Sequence, residues 1–78
     1  RARREFSLRD TNWIDGPPET DRLKVKLRHG PKMSDACVTV GEKTETHITL
    51  DQGDPGIAPG QWSVLYRDEI CLGGGVIA

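Results

Sequence analysis

The 78-residue sequence has few cysteines, few aromatic residues and no long hydrophobic run. Two cysteines are too few for a disulfide-stapled scaffold. No apolar run approaches the roughly 20 residues of a membrane helix, and no apolar stretch typical of a signal peptide follows the basic N-terminus. The composition, with 35% hydrophobic and 29% charged residues, is typical of a soluble globular domain. Together with these absences, it predicts one small soluble domain from a reducing compartment, with no membrane partner.

The spacings of common metal and catalytic sites are also missing. The soft ligands are Cys37, Cys71, His29 and His47, and no pair has C-x-x-C or H-x-x-x-H spacing, which structural zinc sites normally show. The glycine run 73–75 leads into a strand pattern and not into a helix, so it predicts a bulge or a close backbone approach and not a phosphate-binding loop. We therefore expect no metal, no cofactor and no catalytic residue in this chain.

Alternation of apolar and polar residues predicts an all-β chain. Leu23, Val25 and Leu27 alternate with basic residues, and further alternating or apolar segments lie near residues 5–8, 36–40, 48–50, 62–67 and 70–77. Turns rich in glycine and proline separate these segments, and no window has the apolar spacing of a helix. Because closure removes unpaired sheet edges, we predict a small antiparallel β-barrel of about six strands, a single domain over residues 1–78.

The four aromatic residues are expected to lie mostly in the core, because a domain of this size needs its largest apolar side chains inside. They are Phe6, Trp13, Trp62 and Tyr66. In the strand that begins at Trp62, Leu65 falls on the opposite face from the two aromatic residues, which indicates burial on both sides.

Charge divides the chain into two parts. Residues 1–33 carry nine Lys/Arg and five Asp/Glu, whereas residues 34–78 carry two and seven. Since so short a chain folds as one unit, this predicts one basic and one acidic surface. The overall pI near 6.1 argues against an autonomous, tight binder of nucleic acid.

The basic strand supplies the candidate binding residues. Lys24, Lys26 and Arg28 occupy alternate positions, so they share one face at a spacing of about 6.6–7 Å, which suits contacts to successive phosphates. His29 and Lys32 extend this basic group into the next turn. The alternative is a solvated outer face whose lysines discourage pairing with another sheet, and the sequence pattern leaves both interpretations open.

Five segments together resemble a known family. They are Ala58–Gln61, Val64–Tyr66, Cys71–Ile77 with its CLGGG motif, Asn12–Ile14 and the basic strand Leu23–Arg28. In their order along the chain and in their spacing, they resemble segments of the C-terminal end of the bacterial and organellar tRNA-specific 2-thiouridylases, the MnmA-type family. The resemblance covers nearly the whole chain.

This resemblance implies that the chain is the C-terminal β-barrel of a larger enzyme. In that family, ATP bound to an N-terminal domain activates the wobble uridine of tRNA, and sulfur replaces its 2-oxygen. The ATP site and the catalytic cysteines lie upstream of the matching region, so neither Cys37 nor Cys71 is assigned a catalytic role. The cellular location would be either the bacterial cytoplasm or an organelle.

The implied function is a non-catalytic domain that contacts tRNA. Its expected partners are tRNA, the catalytic domain of the same parent chain and a sulfur-carrier protein. The alternative is a docking barrel that packs on a catalytic domain or another partner without binding RNA itself.

Overall fold

The computed structural model describes residues 2–27 and 32–78, and these form six strands. The strands are β1 (Arg3–Trp13), β2 (Arg22–Lys26), β3 (Ser34–Val40), β4 (Thr46–Asp54), β5 (Trp62–Arg67) and β6 (Ile70–Ile77). Neighbouring strands are antiparallel in the order β1-β4-β3-β2-β5-β6, and β6 pairs with β1 to close the barrel. The predicted all-β, six-stranded antiparallel barrel is confirmed.

The core fills the inside of this barrel with alternate side chains from each strand. Its buried apolar residues are Phe6, Leu8, Leu23, Val25, Leu27, Ala36, Val38, Ile48, Leu50, Ile57, Leu65 and Ile77. Aliphatic side chains therefore do most of the filling, with Phe6 as the aromatic member and Trp13 packed at the edge. The inward-outward alternation means that each strand offers its other face to solvent.

Strand β1 is longer than the segment predicted near residues 5–8, because it pairs on both sides. Its first half pairs mainly with β4, and its second half pairs with β6. The register with β6 shifts between Arg9 and Asn12, and Asp10 there has a φ of 53°. Such a bulge bends a strand and increases its twist, which allows one strand to complete the closure.

The glycine run 73–75 marks a close backbone approach, as predicted. A Cβ atom on Gly74 would lie 2.7 Å from the carbonyl oxygen of Ser63, and one on Gly75 would lie 3.0 Å from that of Arg9. The run lies within β6, which continues without interruption through the glycines. Small residues here let β6 pack tightly against both of its neighbours.

The prediction that β5 is buried on both sides is wrong. Ser63 and Leu65 point inwards and are fully buried, whereas Trp62 is 54% exposed. Val64 and Tyr66 share the outer face with Trp62 and are half-buried. A single-layer barrel has only one interior, so the face opposite Leu65 must meet solvent or a partner.

Candidate nucleic-acid interface

Strand β2 carries Lys24 and Lys26 on the outer surface of the barrel. The alternate residues Leu23 and Val25 are buried, which fixes both lysines on the other face. β2 lies between β3 and β5, and Lys24 stands opposite Tyr66 while Lys26 stands opposite Val64. The structure therefore brings two of the predicted site residues together, next to the half-buried outer face of β5.

Lys24 is paired with a carboxylate. Its Nζ donates a hydrogen bond to Oδ1 of Asp35, directly opposite on β3, at 2.8 Å. The hydrogen bond and the charge of Asp35 raise the pKa of Lys24. Because this carboxylate already balances the ammonium, Lys24 offers a phosphate less net positive charge than its position suggests.

Arg22, the first residue of β2, is also paired. Its guanidinium donates to both oxygens of Asp51 on β4, at 2.9 and 2.6 Å. This two-point contact raises the pKa of Arg22 and lowers the pKa of Asp51, mainly through the hydrogen bonds between them. A fork of this geometry is directional, so it ties β2 to β4 across the outer face of β3.

Lys26 differs from both of these cations. Across residues 2–27 and 32–78, no carboxylate forms an ion pair with it. Its side chain is half-buried beside Val64, so the aliphatic stem packs on the sheet. Of the two described lysines of β2, Lys26 is therefore the one whose charge is not balanced by a carboxylate.

The remaining predicted residues lie outside this pair. Lys32 is exposed and lines a shallow groove of about 260 Å³ together with Asp35, Asp51 and Asp54. Lys32 is thus surrounded by carboxylates, one of which, Asp35, stands opposite Lys24. Arg28 and His29 lie outside the described residues.

Trp62 is the candidate residue that the sequence interpretation assigned to the core. It begins β5 on the same outer face as Val64, and its direct neighbour on β6 is Val76. A Cβ atom on Gly74 would lie 3.1 Å from both Nε1 and Cζ2 of the indole, so this edge of the ring rests over the glycine. No local sequence signal reveals this exposure, because Trp62, Val64 and Tyr66 are more apolar as a set than the inward residues Ser63 and Leu65.

A second exposed apolar feature lies elsewhere on the barrel. Ile14 is 61% exposed and Ile70 is 56% exposed. Both line an open groove of about 430 Å³ whose other walls include Pro17, Pro18 and Leu72. Such a groove is more typical of a surface for protein contact than of a phosphate-binding surface.

The described residues contain no group of three or more His, Cys, Asp or Glu side chains that could hold a metal ion. Both cysteines are free, Cys37 half-buried on β3 and Cys71 exposed on β6. In the part of the chain that the structure describes, no helix has the length and hydrophobicity required to cross a membrane.

Comparison with known proteins supports the resemblance seen in the sequence. The chain is 36% identical over 74 residues to the tRNA-specific 2-thiouridylase MnmA of Albidiferax ferrireducens, a match that covers 94% of this chain and 19% of the relative. For MnmA of Pseudoalteromonas translucida the identity is 35% over 68 residues, covering 85% and 19%. For MnmA of Francisella tularensis subsp. novicida it is 37% over 70 residues, covering 87% and 20%.

The predicted similarity to MnmA-type 2-thiouridylases is thus confirmed, and the chain spans about a fifth of the length of these relatives. Independently, the aminomethyltransferase β-barrel domain family matches residues 3–77, which include all six strands. The match agrees with the closed barrel observed in the structure. This chain belongs to the aminomethyltransferase β-barrel domain family.

Proposed function

We propose that this chain is a non-catalytic, tRNA-contacting domain of a tRNA 2-thiouridylase, and that it forms the C-terminal part of that enzyme. The parent enzyme would use ATP to transfer sulfur to the wobble uridine, with the chemistry carried out outside this barrel. The observation that supports the RNA contact is the outer face of β2 and β5, where Lys26 pairs with none of the described carboxylates and lies beside the exposed Trp62.

The interface would be electrostatic and of modest affinity. Lys24 and Lys26 would contact phosphates, with Arg28, His29 and Lys32 as the further residues proposed from the sequence. Ion pairs with Asp35 and Asp51 already balance Lys24 and Arg22, so Lys26 is the one described cation of β2 that is left to release counterions from RNA. We therefore expect weak binding by the barrel alone, with affinity that falls as salt is added.

A titration of the isotopically labelled chain with a wobble-uridine tRNA, and with its anticodon arm, tests this proposal. Amide signals of β2 and β5 should shift at low salt and return towards their free positions at moderate salt. Lys26→Gln should weaken binding. Lys43→Gln removes the same charge from the exposed turn between β3 and β4 and should leave binding unchanged.

Absence of any shift at low salt, with the barrel still folded, would exclude RNA binding by this domain. Equal weakening by Lys26→Gln and Lys43→Gln would show that only total charge matters and that β2 is not the contact face. The first result would leave the docking function as the better explanation, and the second would move the RNA contact away from β2.

The second candidate function is docking on the catalytic domain of the same parent chain, and the groove around Ile14 and Ile70 favours it. A tRNA interface on β2 and β5 does not exclude this role, because the groove has different lining residues. A sulfur-carrier protein is the alternative occupant of this groove. Ile70→Asp should weaken association between the separately expressed barrel and the rest of the parent chain, with Lys43→Gln as the neutral control.

A further inference from the structure

We propose that Trp62 stacks on an unpaired nucleobase of the RNA while Lys26 contacts a phosphate of the same segment. This inference rests on the proposed tRNA-contacting function and adds to it the residue that holds a base and the kind of RNA that fits, an unpaired nucleotide and not a regular duplex. The relevant surface consists of Trp62, Val64, Tyr66 and Val76 with Lys26 along its side, and we call it the β5 outer face.

The first argument is the exposure of a large aromatic ring at a position that the core does not need. Trp62 is 54% exposed, whereas aliphatic residues and Phe6 fill the barrel interior. Its neighbours Val64 and Val76 are half-buried and apolar, so the indole stands at the border of an apolar strip. Stacking of a base on such a ring removes apolar surface from water whatever the identity of the base.

The second argument is that the ring is held in place before any ligand binds. One indole edge rests over Gly74, at a distance that leaves no room for a side chain there. Gly74 lies opposite Val64 on β6, directly beside the strand that carries Trp62. A ring positioned by the sheet loses little conformational freedom on binding, which suits a stacking platform.

The third argument is the charge beside the ring. Lys26 stands opposite Val64, two residues along the same face from Trp62, so the two residues are diagonal neighbours at about 7–8 Å. No described carboxylate pairs with Lys26. An aromatic ring with an unbalanced cation at this separation matches the base and the phosphate of one nucleotide segment.

Comparison with the other exposed apolar site favours RNA as the occupant of this face. The groove at Ile14 and Ile70 is aliphatic, and the charged residues on its walls are two carboxylates, Asp15 and Glu19, and one cation, Arg67, so its net charge is negative. The β5 outer face instead combines aromatic rings with lysines. Repulsion of phosphate by carboxylates is thus expected at the groove and attraction by cations at Trp62.

The test uses a short oligouridylate and a matched abasic oligomer with the same number of phosphates. Two indole signals are expected in the NMR spectrum, from Trp13 and Trp62, and loss of one in Trp62→Ala identifies it. The Trp62 indole signal should shift with oligouridylate and much less with the abasic oligomer. Trp62→Ala should weaken binding of oligouridylate and of the tRNA anticodon arm at least about fivefold.

Two further variants separate stacking from a general structural effect. Trp62→Phe keeps an aromatic ring on the sheet and should retain most of the affinity. Val40→Ala truncates an exposed apolar side chain of β3 that lies in neither site, and it should bind RNA as the unsubstituted chain does. Thermal unfolding of each variant verifies that the barrel is folded.

The outcomes distinguish failure of this inference from failure of the proposed function. If Lys26→Gln weakens tRNA binding but Trp62→Ala does not, stacking is wrong and the tRNA-contacting function stands. Equal effects of the oligouridylate and the abasic oligomer on the Trp62 signal also overturn stacking. If the folded chain binds neither tRNA nor oligouridylate, both proposals fail, and a protein partner remains as the occupant of the β5 outer face.

Discussion

Gly73 of β6 lies directly against the backbone of Asn12 in β1, where a Cβ atom would be only 2.1 Å from the carbonyl oxygen of Asn12. The two strands are paired at this point, with Trp13 opposite Gly73. The contact is between main chains, so no side-chain rotation can relieve it. The seam that closes the barrel therefore depends on the absence of a side chain at residue 73.

Gly73→Ala should consequently be the most damaging small substitution in β6. The new methyl group would force β1 and β6 apart, and we expect a loss of more than about 3 kcal/mol in the free energy of unfolding. For a domain of this size that is a large part of the total stability. Urea unfolding followed by tryptophan fluorescence measures the effect.

The control for that substitution is Gly16→Ala. Gly16 has a φ of 78° but nothing within 4 Å of its Cβ position, so only local backbone strain of about 1–2 kcal/mol is expected. If the two substitutions destabilise the chain equally, the close approach of Gly73 to Asn12 is not what limits this position.

Thr46→Val should stabilise the barrel. The side chain of Thr46 is fully buried at the start of β4, and its hydroxyl has no hydrogen-bond partner among the described residues. Valine has nearly the same shape and suits a strand, so the substitution removes the cost of burying an unpaired hydroxyl, about 1 kcal/mol. For a domain of this size, that corresponds to a rise in Tm of about 4–8 °C.

Thr49→Val is the matched control on the same strand. Thr49 is half-buried and lies on the other face of β4, where its hydroxyl can reach water. Its replacement should change stability by less than about 0.5 kcal/mol. A Thr46→Val variant that is less stable than the unsubstituted chain would show that the hydroxyl has a partner, such as an internal water.

The fold could be predicted from the sequence because strand alternation and turn residues are local signals. The inward set Leu23, Val25 and Leu27 could be read directly from the period of two. What the sequence does not encode locally is register across strands. Nothing near Lys24 in the sequence indicates that Asp35 will stand opposite it, so the neutralisation of this predicted binding residue becomes visible only in the folded barrel.

Trp62 shows that the sequence is also a limited guide to which residues of β5 are buried in the core. Hydrophobicity alone favours burial of a tryptophan, and Trp62, Val64 and Tyr66 look more apolar than the true inward residues Ser63 and Leu65. Closure of the barrel decides between the two faces, since the inward side must fit a narrow interior. The sequence therefore identified β5 correctly but not the direction in which its aromatic residues point.

The ion pair between Arg22 and Asp51 should make the acid stability of the barrel depend on Arg22. The pKa of Asp51 is lowered in the folded state by the guanidinium, below the ordinary carboxyl value of about 3.9. The pair therefore stabilises the folded state above that pH, and its contribution is lost as the pH falls through the lowered pKa of Asp51.

Arg22→Gln should raise the pKa of Asp51 towards its ordinary value, as measured by an NMR titration of the side-chain carboxyl carbon. The difference in free energy of unfolding between the unsubstituted chain and the variant should be largest near neutral pH and shrink in strong acid. An unchanged pKa of Asp51 in the variant would contradict the two-point contact seen in the structure.

Asp35→Asn should increase the affinity of the chain for tRNA, because it releases Lys24 from its carboxylate partner. The amide at residue 35 can still accept a hydrogen bond from Lys24 but no longer balances its charge, so the outer face of β2 gains one unit of positive charge beside Lys26. If Lys24 then contacts a phosphate, the slope of log affinity against log salt should become steeper by roughly 0.7–0.9.

Glu42→Gln adds the same charge in the turn after β3, at the opposite end of that strand from Lys26, and should leave the slope unchanged. Equal gains from the two substitutions would locate the effect in the net charge of the domain and not in the face formed by Lys24 and Lys26.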